Sequence, residues 1–252
     1  VFLLTALPIA RLQSDYTFKV WYNDSDPLVK LFDSFESYFG NDDTLIILTE
    51  HSDTILQKSD LAYLDKLTQS LWEVRDVIRV DSIINYDFVM LENEEITIKS
   101  PSGQGLDPQW LKAKIENNPK LKGYLVDHDL KTSIIMVQIK PGFEKAVEYS
   151  AIYNDAKKRV EEIQVPEGIK VHFMGTVPLS HYFNDAAIKD MEVLIPALYL
   201  IVFLLLYFLY RRLSAVFLTF LILSMSMISM LGLMALLGYK INNLSSSAPT
   251  IL

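Results

Sequence analysis

One stretch limits the folds open to this chain more than any other: between Val193 and Tyr239 the only charged residues are Arg211 and Arg212. The uncharged run on each side of that pair can cross a hydrocarbon layer of about 30 Å as a helix of about 20 residues. Because backbone groups in lipid must be satisfied within the segment, the pattern predicts a helical hairpin that turns at residues 211–213. The alternative, two helices buried in a large soluble core, is disfavoured because neither run has a polar face.

The arginine pair also predicts the orientation of the hairpin. Lys and Arg accumulate in cytoplasmic loops, so we expect the turn inside the cell and the segments before Val193 and after Tyr239 outside. Aromatic residues lie toward the ends of the two runs, as interfacial anchors do: Tyr199, Phe203, Tyr207, Phe208, Tyr210 and Tyr239. The sequence therefore predicts a multi-pass protein of the cytoplasmic (inner) membrane.

Charge is distributed unevenly along the chain. All 31 acidic residues lie between Asp15 and Glu192, and that window holds 19 Lys and Arg, which is the 23 of the whole chain less Arg11, Arg211, Arg212 and Lys240. The net charge of the window is therefore 19 − 31 = −12. Such an acidic domain excludes nucleic acid as a partner, because phosphate contacts need a basic face. The chain has no cysteine, which excludes disulfides and thiol chemistry.

These features divide the 252 residues into predicted segments. The run Val1–Ala10 is apolar but too short to span a membrane, so we interpret it as the end of a first transmembrane helix. The segments are the end of transmembrane helix 1 (1–13), an extracytoplasmic, periplasmic domain (14–186), transmembrane helix 2 (187–212), transmembrane helix 3 (213–239) and the truncated start of transmembrane helix 4 (240–252). We expect the chain to be a fragment of a longer protein.

The first half of the exterior domain alternates strands and helices. An aromatic, alternating run at Tyr16–Tyr22 predicts a strand, and Asp26 and Pro27 open a helix that ends at Gly40. That helix carries its apolar residues on one face: Leu28, Leu31, Phe32, Phe35 and Phe39. A buried strand at Thr44–Thr49, a helix capped by Ser59 and a strand at Val77–Ile84 follow. The capped helix has one apolar stripe, formed by Leu61, Leu64, Leu67 and Leu71.

The second half repeats this alternation after a linking segment. Residues Tyr86–Gly105 are predicted as a loop around one strand, Ile96–Ser100, and Asp107 with Pro108 opens a helix that ends near Asn117. The remaining predicted elements are a hairpin of Gly123–Val126 and Thr132–Lys140 that turns through Asp127, His128 and Asp129, a helix over Glu144–Ile163, a strand at Lys170–Met174, and a helix from Pro178 to Glu192 that continues into the span. This order predicts an α+β domain with helices on one face of a small sheet.

The sequence contains no convincing catalytic, cofactor or metal site. The four histidines, His51, His128, His172 and His181, lack ligand spacing, and no phosphate-binding loop surrounds Gly103 and Gly105. Ser180 and His181 are adjacent, so they are poorly placed to act as nucleophile and base. We interpret Asp42 and Asp43 as a solvated turn rather than an acid–base pair.

Two polar features near the membrane have ordinary explanations. The charged residues Asp185, Lys189, Asp190 and Glu192 fit an interfacial segment, although a coupling role is the alternative. In the third span, serines, methionines and glycines fit close helix packing: Ser224, Ser226, Ser229, Met225, Met227, Met230, Gly232 and Gly238. Neither uncharged run, Val193–Tyr210 or Leu213–Tyr239, contains an acidic or basic residue that could relay protons, so we expect any such residue elsewhere.

Several segments, in this order, resemble half of a resistance–nodulation–division (RND) transporter, in particular the branch of lipid and hydrophobe exporters that includes the mycobacterial membrane protein large group. The segments are Phe39–Gly40 before Asp42–Asp43, Val77–Asn85, Tyr124–Ile139, Gly175–Pro178 followed by Asp190, and Gly238–Pro249. The resemblance implies a porter domain of ferredoxin-like strand-helix-strand units, joined to an α-helical transmembrane bundle.

The same resemblance implies an activity. It implies export of lipids or other hydrophobic molecules, driven by the proton-motive force, by a protein that is not an enzyme and needs no cofactor. The relay acid would lie in the fourth span, beyond Leu252, and no substrate-binding residue is assigned. The implied partners are the hydrophobic substrate, the bilayer and the rest of the transporter, with a homo-oligomer left open. The alternatives are an accessory protein that assists protein translocation or senses sterol-like lipids, and a membrane-anchored receptor.

Overall fold

A computed structural model describes residues 7–12, 22, 26–40, 43–92, 94–140, 147–239 and 241. The chain forms two compact units. We call Asp33–His181 the sheet unit, and Val1–Phe32 together with Tyr182–Leu252 the helical unit. The helices and strands, in chain order, are α1 (Pro27–Phe39), β1 (Thr44–His51), α2 (Lys58–Leu71), β2 (Val77–Asp81), β3 (Phe88–Glu92), β4 (Glu95–Lys99), α3 (Pro108–Glu116), β5 (Thr132–Ile139), α4 (Tyr149–Glu162), β6 (Ile169–Met174), α5 (Thr176–Tyr210) and α6 (Leu213–Leu236), with short 3-10 helices at Leu7–Arg11 and Ser102–Gln104.

Four strands of the sheet unit form an antiparallel sheet in the order β2-β5-β1-β6. Strand β1 pairs with β5 and β6, and β2 pairs with β5. Each strand-helix-strand unit, β1-α2-β2 and β5-α4-β6, is therefore split by a strand of the other, which is the split βαβ arrangement. The predicted α+β class is confirmed, and the structure adds that the sheet is antiparallel.

The two central strands bury one face. Strands β1 and β5 both alternate between half-buried and buried side chains, and their register places Leu45 beside Val137 and Ile47 beside Ile135. Cross-strand pairs of this kind are the basic unit of sheet stabilisation. Helices α2 and α4 contribute their own buried residues to the same core: Leu61, Leu64, Leu67 and Leu71 from α2, and Ile152, Ala156 and Val160 from α4.

Arg159 of α4 satisfies backbone groups at the end of α2. Its guanidinium donates to the carbonyl oxygens of Ser70 at 3.3 Å and Glu73 at 3.0 Å, and to the Glu73 carboxylate at 2.8 Å. The last carbonyls of a helix have no intrahelical donor, so a basic side chain there acts as a cap. This contact fixes α4 against the end of α2.

The third predicted strand is shorter than expected. It ends at Asp81 instead of Ile84, because the side chain of Asn85 replaces the next backbone pairs. Its Oδ1 accepts from the Ser82 N–H at 2.8 Å, and its Nδ2 donates to the Val80 carbonyl at 2.7 Å. Apolar residues up to Ile84 are still buried, which is why the sequence pattern continues beyond the strand.

The segment predicted as a loop around one strand contains two. Strands β3 and β4 form an antiparallel hairpin with Val89 opposite Ile98 and Leu91 opposite Ile96. These four side chains are 64 to 75% exposed. The hairpin has no Asn-Gly or Asp-Gly turn to mark it in the sequence; instead Glu94 adopts a φ of 69°.

Two further predicted boundaries differ from the structure. The stretch Gly123–Val126 is a tight turn with a single bridge from Val126 to Ser133, so β5 has no regular hairpin partner there. The side chain of Asp127 closes the next turn, residues 127–132, by accepting from the Lys131 and Thr132 N–H groups. Ser59 lies inside α2, where Gln57 occupies the N-cap position.

The predicted start of α4 is also wrong. The helix begins at Tyr149 rather than Glu144, because Glu148 has a ψ of 68° and takes the N-cap position. Residue 144 itself lies outside the described residues. The end of the helix, at Glu162, agrees with the prediction to one residue.

The helix starts that carry Asp and Pro are confirmed. Asp26 accepts from the Leu28 N–H at 2.8 Å, and Asp107 accepts from the Gln109 N–H at 2.9 Å. The apolar residues of α1 are nevertheless exposed: Leu28, Leu31, Phe32, Phe35 and Phe39. The predicted strand at Tyr16–Tyr22 lies, apart from Tyr22, outside the described residues.

The helical unit contains the two long apolar helices. Helix α6 follows α5 after a break of two residues at Arg211 and Arg212, and Arg211 turns the chain with a φ of 50°. The 3-10 helix at Leu7–Arg11 lies against α6. The predicted helical hairpin is therefore present, with its turn at the arginines.

Gly175 provides the first testable prediction. It has a φ of 98°, and a Cβ there would come within 2.5 Å of the Thr44 carbonyl oxygen. We expect Gly175→Ala to lower the free energy of unfolding of the sheet unit by about 3 kcal/mol, from backbone strain and the clash together. Gly105→Ala is the matched control, because Gly105 also has a positive φ (68°) but no atom within 4 Å, and we expect about 1 kcal/mol there.

Chemical denaturation of the solubilised chain measures both changes. Trp72 and Trp110 report on the sheet unit, and Trp21→Phe removes the third tryptophan. Equal losses for the two glycine variants would contradict the role of the close approach to Thr44.

Candidate functional site

Helices α5 and α6 are long and apolar enough to cross a membrane. Helix α5 has 35 residues and α6 has 24. Most of their apolar side chains are exposed, as expected for surfaces that face lipid rather than a protein core. The predicted spans at 187–212 and 213–239 overlap these helices at residues 187–210 and 213–236.

Two contacts hold α5 to α6 within the helical unit. The Tyr199 hydroxyl donates to the Met227 sulfur at 3.4 Å, and the Tyr199 ring meets Phe220 edge-on at 5.2 Å. Gly232 of α6 is buried, in agreement with the predicted close packing of small residues. Ser224 and Ser229 are half-buried and Ser226 is exposed.

The charged residues of α5 before the apolar stretch form a local pair. Lys189 lies 2.7 Å from Asp185, one helical turn earlier, and both side chains are largely exposed. An exposed pair at this spacing contributes only about 0.3–0.5 kcal/mol. Asp190 and Glu192 are also exposed. The contacts of these residues fit an interfacial segment.

His181 meets a serine, but not the one beside it in sequence. Its Nδ1 lies 3.1 Å from the Ser150 hydroxyl of α4, and its ring stacks on Tyr153 at 4.4 Å with an interplanar angle of 21°. Tyr153 also packs edge-on against Phe173 of β6. The first turns of α5 that belong to the sheet unit are thereby tied to α4.

The start of α4 is tied to the start of β1 as well. The Tyr149 hydroxyl donates to Asp43 Oδ2 at 2.9 Å. Asp43 therefore has a packing role within the sheet unit. Its neighbour Asp42 lies outside the described residues, so the predicted solvated turn is described only in part.

The other three histidines lie in three different environments. His51 is buried and faces Asp60, His172 is exposed and lies 3.7 Å from Glu50, and His128 is exposed in a turn. Within the described ranges, no three His, Cys, Asp or Glu side chains are grouped to share a metal ion. Gly103 and Gly105 lie in and after a 3-10 helix that Gly105 terminates.

Sequence reasoning missed a polar group at one end of the core. His51 and Thr49 continue the buried alternation of β1, and Asp60 lies on the same stripe as Leu64 and Leu67 of α2. That spacing was a signal that both ionisable side chains point inward. Burial raises the pKa of Asp60, against the opposing effects of the Ser59 hydrogen bond and of His51. Burial also raises the pKa of Tyr63, one turn further along α2, to about 12.

A comparison with protein families decides the identity at the level of family. The model of the MMPL family matches residues 22–252, which include the sheet unit and both apolar helices. The chain belongs to the MMPL family. This family is part of the RND superfamily of membrane transporters, and MMPL transporters are not enzymes. A search of curated proteins found no match.

The contact around His181 leads to the second prediction. We expect His181→Ala to lower the unfolding free energy of this MMPL chain by about 2 kcal/mol, because both the stacking and the hydrogen bond are lost. His181→Phe keeps a ring against Tyr153, so we expect a loss of about 1 kcal/mol, and Ser150→Ala should cost about the same. Tryptophan-monitored denaturation measures all three. A Phe variant as unstable as the Ala variant would argue against stacking.

Proposed function

We propose that this chain is part of an ion-driven exporter that moves lipids or other hydrophobic and amphiphilic molecules out of the cytoplasmic membrane. The observation that supports this most strongly is the MMPL match, which extends over the sheet unit and both apolar helices. An α+β domain followed in sequence by two helices of membrane-spanning length fits such an exporter.

The proposed arrangement follows the segments of the sequence. Residues 14–186 would form the extracytoplasmic porter domain, 187–212 and 213–239 the second and third transmembrane helices, and 1–13 and 240–252 the adjoining ends of the first and fourth. The Arg211–Arg212 turn supports a cytoplasmic location for the loop between α5 and α6. A net charge of −12 on residues 15–192 (19 basic less 31 acidic) is compatible with an exterior domain that handles uncharged or amphiphilic substrates.

The energy source is proposed to be the proton-motive force. The uncharged runs Val193–Tyr210 and Leu213–Tyr239 offer no acidic or basic side chain to carry a proton, so the relay acid is expected after Leu252, in the fourth span. The partners of this chain would then be its hydrophobic substrate, the bilayer and the remainder of the transporter.

Export is tested with the complete gene product in inverted membrane vesicles. A fluorescent lipid analogue is supplied outside, and its uptake is followed after a pH gradient, acid inside, is imposed. We expect uptake that collapses when nigericin removes the pH gradient and persists when valinomycin with potassium removes only the electrical potential.

Vesicles without the protein are the control for passive partition. Substrate binding without any uptake would contradict an exporter and favour the receptor alternative. Uptake that is independent of the pH gradient would contradict the proposed energy source but not export itself.

A further inference from the structure

His51 and Asp60 are two ionisable side chains enclosed at one end of the core. His51 is the last residue of β1 and is 7% exposed, and Asp60 lies in the first turn of α2 and is 1% exposed. Buried charges are costly unless they are paired and hydrogen-bonded. The stability of this enclosed pair therefore depends on whether each side chain carries a proton.

The hydrogen bonds of His51 decide which nitrogen carries the proton. Its Nδ1 accepts from the Asp53 N–H at 3.0 Å. In the neutral ring the proton therefore sits on Nε2, which faces Asp60 Oδ2 at 4.0 Å. The two groups interact by charge, at a distance longer than a hydrogen bond.

Asp60 is held by one strong contact. Its Oδ1 accepts from the Ser59 hydroxyl at 2.9 Å, whereas Oδ2 has no hydrogen-bond partner in the described part of the chain. Two other buried hydroxyls at this end of the core, those of Tyr63 and Ser133, also lack one there. An ionised Asp60 would thus be poorly compensated.

The segments before β5 and β6 pack closely around His51. Gly168, before β6, lies over the imidazole, and a Cβ there would come within 2.8 Å of Nε2. The Lys131 carbonyl, before β5, accepts from the His51 N–H at 2.8 Å. The charged side chains on these neighbouring segments, Asp53, Lys131 and Glu167, are exposed, so Asp60 is the charged group that faces the ring.

We propose that His51 and Asp60 form a buried proton-binding site, and that its occupancy sets how tightly the β1–α2 corner and the turn before β6 close. One proton on Asp60 leaves its buried carboxyl group uncharged. As that proton leaves, a bare carboxylate remains in the core, and the segments around it open to admit water. This property belongs to the sheet unit itself and does not depend on transport.

The sign of the pH dependence follows from burial. Burial places the pKa of Asp60 above its ordinary value of about 3.9. Its contribution to stability is therefore fully present below that ordinary value and is lost as the pH rises through the pKa of the folded state. An acidic exterior favours the closed corner. Because one proton is released, the equilibrium constant for opening changes by up to about tenfold per pH unit between these two pKa values.

Hydrogen exchange of the complete protein in nanodiscs, followed by mass spectrometry from pH 4 to 8, tests the site. After correction for intrinsic exchange rates, we expect peptides covering 52–60 and 164–170 to lose up to about tenfold protection per pH unit in the wild type. Asp60→Asn should remove this dependence. His51→Gln should move the loss to higher pH, because His51 opposes the rise in the pKa of Asp60.

Glu50→Gln is the matched control. Glu50 pairs with His172 at 3.7 Å, next to the same sheet end, but both side chains are about half exposed. Its replacement should leave the exchange profile unchanged. A flat profile in the wild type, an unaltered slope in Asp60→Asn, or an effect of Glu50→Gln equal to that of Asp60→Asn would overturn the proposal. If Asp60→Asn does not fold, the proposal is still tested by the pH dependence of the wild type and by the direction in which His51→Gln shifts it.

Discussion

Burial of one face of the β1–β5 pair is the interaction on which the sheet unit depends. The register that places Leu45 beside Val137 and Ile47 beside Ile135 fixes which side chains point inward, and a slip of one residue would reverse all of them. The same alternation brings Thr49 and His51 into the core, although both are polar. The period-two alternation of β1 therefore places both the core residues and His51 of the proton-binding site on the buried face.

Local signals predicted much of this fold. The helix starts at Asp26 and Asp107, the leucine stripe of α2 and the alternation of β1 and β5 all depend on residues close in sequence. The β3–β4 hairpin escaped prediction because its turn uses Glu94 at a positive φ, where glycine or asparagine is the usual signal.

Contacts between distant residues could not be predicted in the same way. The partner of His181 is Ser150, 31 residues earlier, and periodicity says nothing about which helix lies beside which. The early end of β2 has a related cause, since one asparagine side chain replaces backbone pairing while the apolar pattern continues. The membrane helices were predictable because lipid constrains composition over a whole span.

The proposed function depends on one geometric claim, that residues 14–186 lie outside the membrane while the α5–α6 turn lies inside. The chain has no cysteine, so single cysteines at Lys158, an exposed position of α4, and at Ser214, beside the turn, can be labelled individually. A membrane-impermeant maleimide applied to intact cells should label the cysteine at 158 and reach the one at 214 only after permeabilisation. Labelling of 214 but not 158 in intact cells would contradict the orientation and, with it, the proposed exterior porter domain.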